Sequence, residues 1–249
     1  MDFNEMKKIE NDTELVNAVY NVLDESSRLN CSNAARVEFT TTVKYIEKYL
    51  SQRMRILDIG AGAGEYSLYF ANKGYKVSTV ELADKNVAEF RKKITGSLDI
   101  VLLFGPLYHL HEERDRNTAV NEAKRVLRKD GTLFVAFINN DMIHYTEWGY
   151  DPGYLLTGEY DKDTFKTNDF PFVFFDLKQC RGMLTGNGLD IIHEIASDGM
   201  SELLEERINQ LDAAGYAQYL KMHFFYCERP EHLGKTNHFL FVVKKAGVE

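Results

Sequence analysis

No apolar run in the 249 residues approaches the ~18 that a membrane-spanning helix needs. The three cysteines, Cys31, Cys180 and Cys227, stand far apart in neither a paired nor a metal-like spacing. That excludes a disulfide framework and suits a reducing cytoplasm. No long run of Lys or Arg occurs, and the formal net charge is -8. A nucleic-acid binder presents a basic surface to neutralise phosphates, so DNA and RNA are not expected partners. The first residues, MDFNEMKKIENDTELV, lack the basic-then-apolar order of a signal peptide. Internal repeats and low-complexity segments are missing too. What the chain does have is 44% hydrophobic residues, enough for one large domain or a domain with a cap.

Residues 13–24, TELVNAVYNVLD, place Leu15, Val16, Val19 and Leu23 on one helical face. A second helix is expected from Ser32 to Leu50, with Phe39, Val43, Ile46 and Leu50 at helical spacing and Ser32 or Asn33 as its cap. Strands and helices then alternate. RILDIG reads as a strand, EYSLYFANKG as a helix stopped at Gly74, and KVSTVEL as a strand. DKNVAEFRKKI reads as a helix and DIVLLFG as a buried strand. DRNTAVNEAKRVLRKDG is a helix ended by Asp130-Gly131, and TLFVAFI another buried strand. Apolar strands separated by helices predict an α/β fold, a doubly wound, mostly parallel sheet covered on both faces. After Asn139 the pattern breaks into aromatics, Asp and Gly without a period, which reads as a functional lid. A helix near 176–187, the strand LDIIHEI, a helical stretch over 200–222 and the final strand HFLFVVKK complete the chain. The expected organisation is a single domain over 1–249. It has an N-terminal helical cover (1–52), a ligand-binding core (53–138), a lid insert (139–175) and the C-terminal half of the sheet with a helical insert (176–249).

The stretch RILDIGAGAGEYSLYF carries Gly60, Gly62 and Gly64 at alternate positions, where a strand hands over to a helix. Such a turn lets a ligand approach the backbone and offers free amides at a helix start. The spacing is G-x-G-x-G rather than the dinucleotide form G-x-G-x-x-G, because Glu65 follows Gly64. A carboxylate there is a poor neighbour for a pyrophosphate and suits a ligand bearing positive charge. Glu81 ends the next strand, 21 residues after Gly60, where an acidic side chain accepts both ribose hydroxyls of a nucleoside.

ILDIGAGAGEYS with VEL after it, DIVLLFGPLYHL and EAKRVLRKDGTLFVAF resemble the class I S-adenosylmethionine-dependent methyltransferases, well over about residues 35–140 and loosely beyond. Among these the chain looks most like bacterial small-molecule methyltransferases of Rossmann-like fold with an N-terminal helical cover. The resemblance implies S-adenosylmethionine as cofactor. It puts Gly60 and Gly62 against the methionine and ribose, Asp58 near the ammonium group and Glu81 on the ribose hydroxyls. Ala61, Leu82, Phe104 and Gly105 complete the implied contacts. One departure stands out: only 17 residues separate Glu81 from Asp99, where the family pattern has a helix, a strand and another helix. A crossover helix alone takes about 10–12 residues. Either that edge unit is missing or the sequence as read omits a stretch, and a buried KVSTVEL strand favours the omission.

The chemistry is expected at the end of DIVLLFGPLYHLHEE, in Gly105 to His109. Tyr108 offers a hydroxyl and His109 a base for removing a proton from the nucleophile, though methyl transfer often needs only in-line positioning. HLHEE also spaces His109 and Glu113 for one helical face, but two ligands without a third do not make a metal site, and none is expected. The lid DMIHYTEWGYDPGYLLTGEY, with Trp148, four tyrosines and several carboxylates, suits an aromatic or cationic small molecule or packs on itself. Tyr20 and Arg28 read as structural parts of the cover. His223, Cys227, Glu228 and Arg229 lie near enough to the last strand to join the pocket, Cys227 as inert filling. The expected function is methyl transfer to an oxygen or nitrogen of a small molecule. A non-catalytic S-adenosylmethionine sensor or partner-binding module, and a nicotinamide-dependent oxidoreductase, are the alternatives.

Overall fold

The computed structural model describes residues 3–9, 11–22, 27–80 and 96–247. Helices α1 (Phe3–Met6), α2 (Asp12–Tyr20) and α3 (Arg36–Glu47) come first, then β1 (Arg55–Ile59), α4 (Glu65–Asn72) and β2 (Lys76–Val80). β3 (Leu98–Leu103), α5 (Glu113–Val126), β4 (Leu127–Asn139) and α6 (Asn140–Tyr150) follow. The chain continues through β5 (Phe174–Phe175), α7 (Leu177–Gly186) and β6 (Leu189–Ala196) to α8 (Glu205–Asn209). It ends with α9 (Ala213–Tyr226), α10 (Pro230–Leu233) and β7 (His238–Lys245).

The strands form a seven-stranded sheet in the order β2-β1-β3-β4-β7-β6, with β5 parallel to the end of β4. β1 to β4 pair in parallel, and β7 runs antiparallel to β4 and β6. The doubly wound, mostly parallel α/β fold read from the sequence is the one observed. Successive strand side chains point to opposite faces, and here they separate into two apolar layers. Val101, Leu103, Leu133, Val135 and Phe241 pack on one face with Val120 and Ala123 of α5 and Leu184 of α7. Ile56, Ile100, Leu102, Phe134 and Val242 pack on the other with Val43 and Ile46 of α3 and Phe70 of α4. Every residue of β3 is buried, which explains the apolar run over residues 100–103; buried Asp99 is met by the Arg55 amide and Arg128. Cys180 and Cys227 fill opposite layers, and the three cysteines are free thiols.

Several element boundaries differ from those read in the sequence. α3 starts at Arg36, because the Ser32 hydroxyl accepts from the Ala35 amide in a turn before the helix. α5 ends at Val126, not at Asp130-Gly131: buried Leu127 turns to extended backbone and pairs with Leu98. The stretch after Asn139 holds a helix of 11 residues, α6, capped by the Asn139 side chain, which accepts from the Asp141 amide at 2.9 Å. Residues 200–222 hold two helices, α8 and α9, the second reaching Tyr226. β2 is not a buried strand. It ends the sheet among the described residues, with Lys76, Ser78 and Thr79 exposed. The helix expected over DKNVAEFRKKI lies outside the described residues. No helix among the described residues is long and apolar enough to cross a membrane.

Candidate functional site

β1 has β2 on one side and β3 on the other, so the chain leaves β1 and β3 in opposite directions and the loops that follow them meet at the switch point. The meeting is close. A Cβ on Gly60 would stand 2.8 Å from Pro106 Cδ, and one on Gly105 would stand 3.3 Å from the Gly60 carbonyl oxygen. Gly60 therefore serves loop contact, at a φ of +73°, and not only cofactor approach as the sequence suggested. Gly62 differs: at a φ of +53° its missing Cβ would meet no heavy atom within 4 Å. The turn is open on that side.

The turn borders a cavity of about 70 Å³ whose lining includes Asp58, Ala61, Gly62, Phe104 and Gly105. Buried Asp58 accepts from the Ser67 hydroxyl at 2.7 Å, which ties the end of β1 to α4. The Glu65 carboxylate accepts from Asn30 Nδ2 at 2.5 Å, reaching back to the N-terminal cover. Phe104 stands edge-on to Tyr66 with centroids 5.1 Å apart, and Phe39 stacks on the other side of Tyr66. Glu81, expected on the ribose, and Leu82, an expected cofactor contact, lie outside the described residues.

A second cavity of about 310 Å³ adjoins the first. Tyr20, Arg28, Glu38 and Tyr108 line both. Its charged wall comes from four distant segments. Arg28 Nη1 donates to Glu38 at 2.7 Å, and His238 Nδ1 lies 2.7 Å from Asp198 and 3.6 Å from Glu38. Asp198 also accepts from the Asn237 amide at 3.0 Å and from the Thr236 hydroxyl. Burial opposes charge on both Glu38 and His238, and here the partners win. The Glu38 carboxyl is held down to about 2 by Arg28 and His238, and the His238 imidazole is lifted to about 9 by Glu38 and Asp198. Glu38, Asp198 and His238 each bring a possible metal-ligand atom within 4.8 Å of the others. Those lone pairs are directed to Arg28, to a shared proton and to backbone amides, so the group reads as a compensated ion network.

The expected catalytic pair is divided. Tyr108, in the short 3-10 turn Pro106–Tyr108, lines both cavities, whereas His109 is buried beside them and lines neither. His109 Nε2 and the Tyr20 hydroxyl form a hydrogen bond of 2.7 Å. Burial, with His111 nearby, lowers the His109 imidazole to about 4, so the ring is neutral at neutral pH. His111 Nδ1 lies 2.7 Å from Asp12, and its amide donates to the same carboxylate at 3.2 Å. Both histidines of HLHEE thus hold α2, one at each end.

Tyr20 and Arg28, read as structural, line both cavities, and Glu38, Asp198, Glu202, Glu205 and His238 were not singled out in the sequence. A carboxylate-rich SELLEE segment and a histidine opening the last strand were the available signals. Residues 223–229 supply no lining residue to either cavity. His223 is buried 3.0 Å from the Thr41 hydroxyl, Cys227 is core, and Glu228 accepts from Tyr45. Of the lid, Tyr150 reaches the larger cavity while Trp148 stands half exposed. His144, Tyr154 and Tyr160 pack on one another.

Residues 33–194 match the family model of a methyltransferase domain. A putative methyltransferase, YqeM of Bacillus subtilis, is 35% identical over 60 residues, which span 24% of this chain and 24% of that protein. Among solved structures, 1,6-didemethyltoxoflavin-N1-methyltransferase of Burkholderia thailandensis, with 1,6-didemethyltoxoflavin and S-adenosylhomocysteine bound, has a TM-score of 0.53 at 12% identity, covering 99% of this chain and 91% of that one. An S-adenosylmethionine-dependent methyltransferase of Thermotoga maritima, described as a possible histamine N-methyltransferase, has a TM-score of 0.51 at 14% identity over 92% of this chain and 98% of that one. One from Methanosarcina mazei has a TM-score of 0.50 at 18% identity over 81% and 97%. The matched model covers well over half of the chain, and the chain belongs to the methyltransferase domain family, in the class I, S-adenosylmethionine-dependent fold.

Proposed function

We propose that the protein moves the methyl group of S-adenosylmethionine to an oxygen or nitrogen of a small molecule, with the cofactor at the glycine turn and the acceptor in the larger cavity. The observation that carries this reading is the common wall: Tyr20, Arg28, Glu38 and Tyr108 border both spaces, so two ligands seated there would meet. The turn fits the cofactor's charged methionine end. Gly62 leaves open space, Glu65 begins the helix beneath it, and Asp58 supplies a second carboxylate. When bound, S-adenosylmethionine supplies a methyl carbon on a sulfonium, which an acceptor lone pair takes up as the C–S pair returns to sulfur.

The chain's own contribution is placement and exclusion of water. Phe104 and Gly105 border the cofactor space, and Tyr20 and Tyr108 orient the acceptor. His109 is a positioning residue, holding the Tyr20 hydroxyl from behind. A neutral ring lowered to about 4 is a weak proton acceptor at neutral pH, so proximity rather than general-base catalysis provides the rate. Glu81 retains its proposed place at the ribose hydroxyls and Leu82 its proposed contact with the cofactor. With a net charge of -8, the protein is assigned a diffusible acceptor in the cytoplasm and no nucleic-acid partner.

Calorimetric titration with S-adenosylmethionine and S-adenosylhomocysteine tests the cofactor site. Micromolar binding is expected for the native protein, with losses of tenfold or more in Gly62→Val and in Glu81→Ala. Unchanged affinity in both variants overturns the assignment. Release of S-adenosylhomocysteine with any acceptor removes the sensor alternative.

A further inference from the structure

We infer that the acceptor is a small aromatic amine, bound with its ammonium group at Glu202 and Glu205 and its ring toward Tyr20 and Tyr108. This rests on the reading of the two cavities as cofactor and acceptor sites.

The inference comes from charge balance around the larger cavity. Six of its lining residues carry charge, His238 included. Arg28 pairs with Glu38 and His238 with Asp198, each at 2.7 Å, and those four cancel. Glu202 and Glu205 remain, and neither forms an ion pair among the described residues. Glu202 accepts from the Tyr150 hydroxyl at 2.8 Å and from the Asn237 side-chain amide. Glu205 accepts from the Ser32 hydroxyl at 3.5 Å and from Asn209 Nδ2 at 3.2 Å. All four donors are neutral, so no cation among the described residues offsets these two carboxylates, of which Glu202 is half-buried and Glu205 exposed. Neighbouring groups register that field. The Glu147 carboxyl is raised by burial and then by Glu159 and Glu202, and the Tyr150 phenol is raised by burial, by its bond to Glu202, and by Glu205 and Glu147. A bound ammonium would supply the missing countercharge, and the Tyr150 ring beside it adds a cation–π surface.

The cavity is also polar along its length. Tyr20 and Tyr108 border the cofactor space, whereas Glu202, Glu205 and Tyr150 line the larger cavity alone. Phe172 lies edge-on to Tyr108, centroids 6.1 Å apart, and closes the aromatic end. A ligand held by its ammonium at the acidic end thus presents its ring, and a nucleophilic oxygen or nitrogen on that ring, at the wall shared with the cofactor. A carboxylate in place of the ammonium would face two like charges. The volume, about 310 Å³, admits one substituted ring with a short side chain.

Matched probes test the assignment by calorimetry on protein saturated with S-adenosylhomocysteine at pH 7.5. Tyramine is compared with 4-hydroxyphenylacetate, and histamine with imidazole-4-acetate; each pair shares a ring and exchanges ammonium for carboxylate. At least one amine is expected to bind about tenfold or more tightly than its partner. Glu202→Gln and Glu205→Gln should each weaken that amine by about three- to tenfold, with S-adenosylhomocysteine affinity unchanged. Should Glu202→Gln lose its fold through Asn237, exposed Glu205→Gln carries the test. Carboxylates binding as well as amines, amine affinity indifferent to both substitutions, or no amine binding at millimolar concentration would each overturn the inference. Failure of the native protein to bind S-adenosylhomocysteine would instead bring down the cofactor assignment beneath it.

Discussion

On the sheet, β1, β3, β4 and β7 bury two continuous apolar layers, to which α3 of the N-terminal cover adds Val43 and Ile46, whereas α1 and α2 of the cover bury, among the described residues, a small cluster of Met6, Leu15 and Val19 against Phe170 and Phe172. The sheet is held by area removed from water. α2 adds to that small cluster polar contacts at both its ends, Tyr20 to His109 and Asp12 to His111. Area accumulates along a strand and tolerates small losses, while a few directional contacts are made or lost together. α1 and α2 are therefore the part of the cover expected to open at the lowest free energy.

Core truncation is the largest way to break that contrast. Phe134→Ala, at a fully buried position, should cost about 3–5 kcal/mol in denaturant unfolding, and Val19→Ala in the cover roughly 1–2 kcal/mol. Equal costs would show that the cover is as integral as the sheet. Next is the switch point. Gly60→Ala combines a left-handed backbone with a Cβ 2.8 Å from Pro106, and should destabilise by about 2–4 kcal/mol. A loss of cofactor binding at unchanged stability would place the role of Gly60 with the ligand instead.

The smallest effect expected is a pH response of opposite sign in the two regions. His109 is lowered to about 4 in the fold, so between there and the ordinary histidine value near 6.5 the unfolded chain binds more protons. Its contribution is full above about 6.5 and is lost as pH falls toward 4. His238 is raised to about 9, so its contribution is full below about 6.5 and is lost as pH rises through 9. Hydrogen exchange, corrected for intrinsic rates, should show residues 12–20 opening first on acidification. Residues around Asp198 and His238 should open first on alkalinisation. The same order in both directions would contradict the assignment.

The parts of this molecule that were legible in advance are those built on local period. β3, β7 and the glycine turn are legible from apolar runs, alternation and glycine spacing, because burial on both sheet faces favours apolar residues along the middle of such strands. α6 escaped notice because NDMIHYTEWGY mixes polar and aromatic residues, and only Asn140, Met142 and Thr146 of it are buried. The site was half legible. Asp58, Gly62, Phe104 and Gly105 border the expected space because backbone turns bring them there. His109 carried the right residue type for catalysis, and tertiary packing directed its ring to Tyr20 instead.

By itself the sequence determined the individual strands, the strand-to-helix glycine turn and the family motifs, since each is written in residues within a short stretch of chain. Only the tertiary structure decided the charged wall of the larger cavity. Arg28 and Glu38 meet Asp198 and His238 across some 160 to 210 residues of chain. No local period records a charge pair closed over that distance, because its energy appears only once the sheet has brought both ends together.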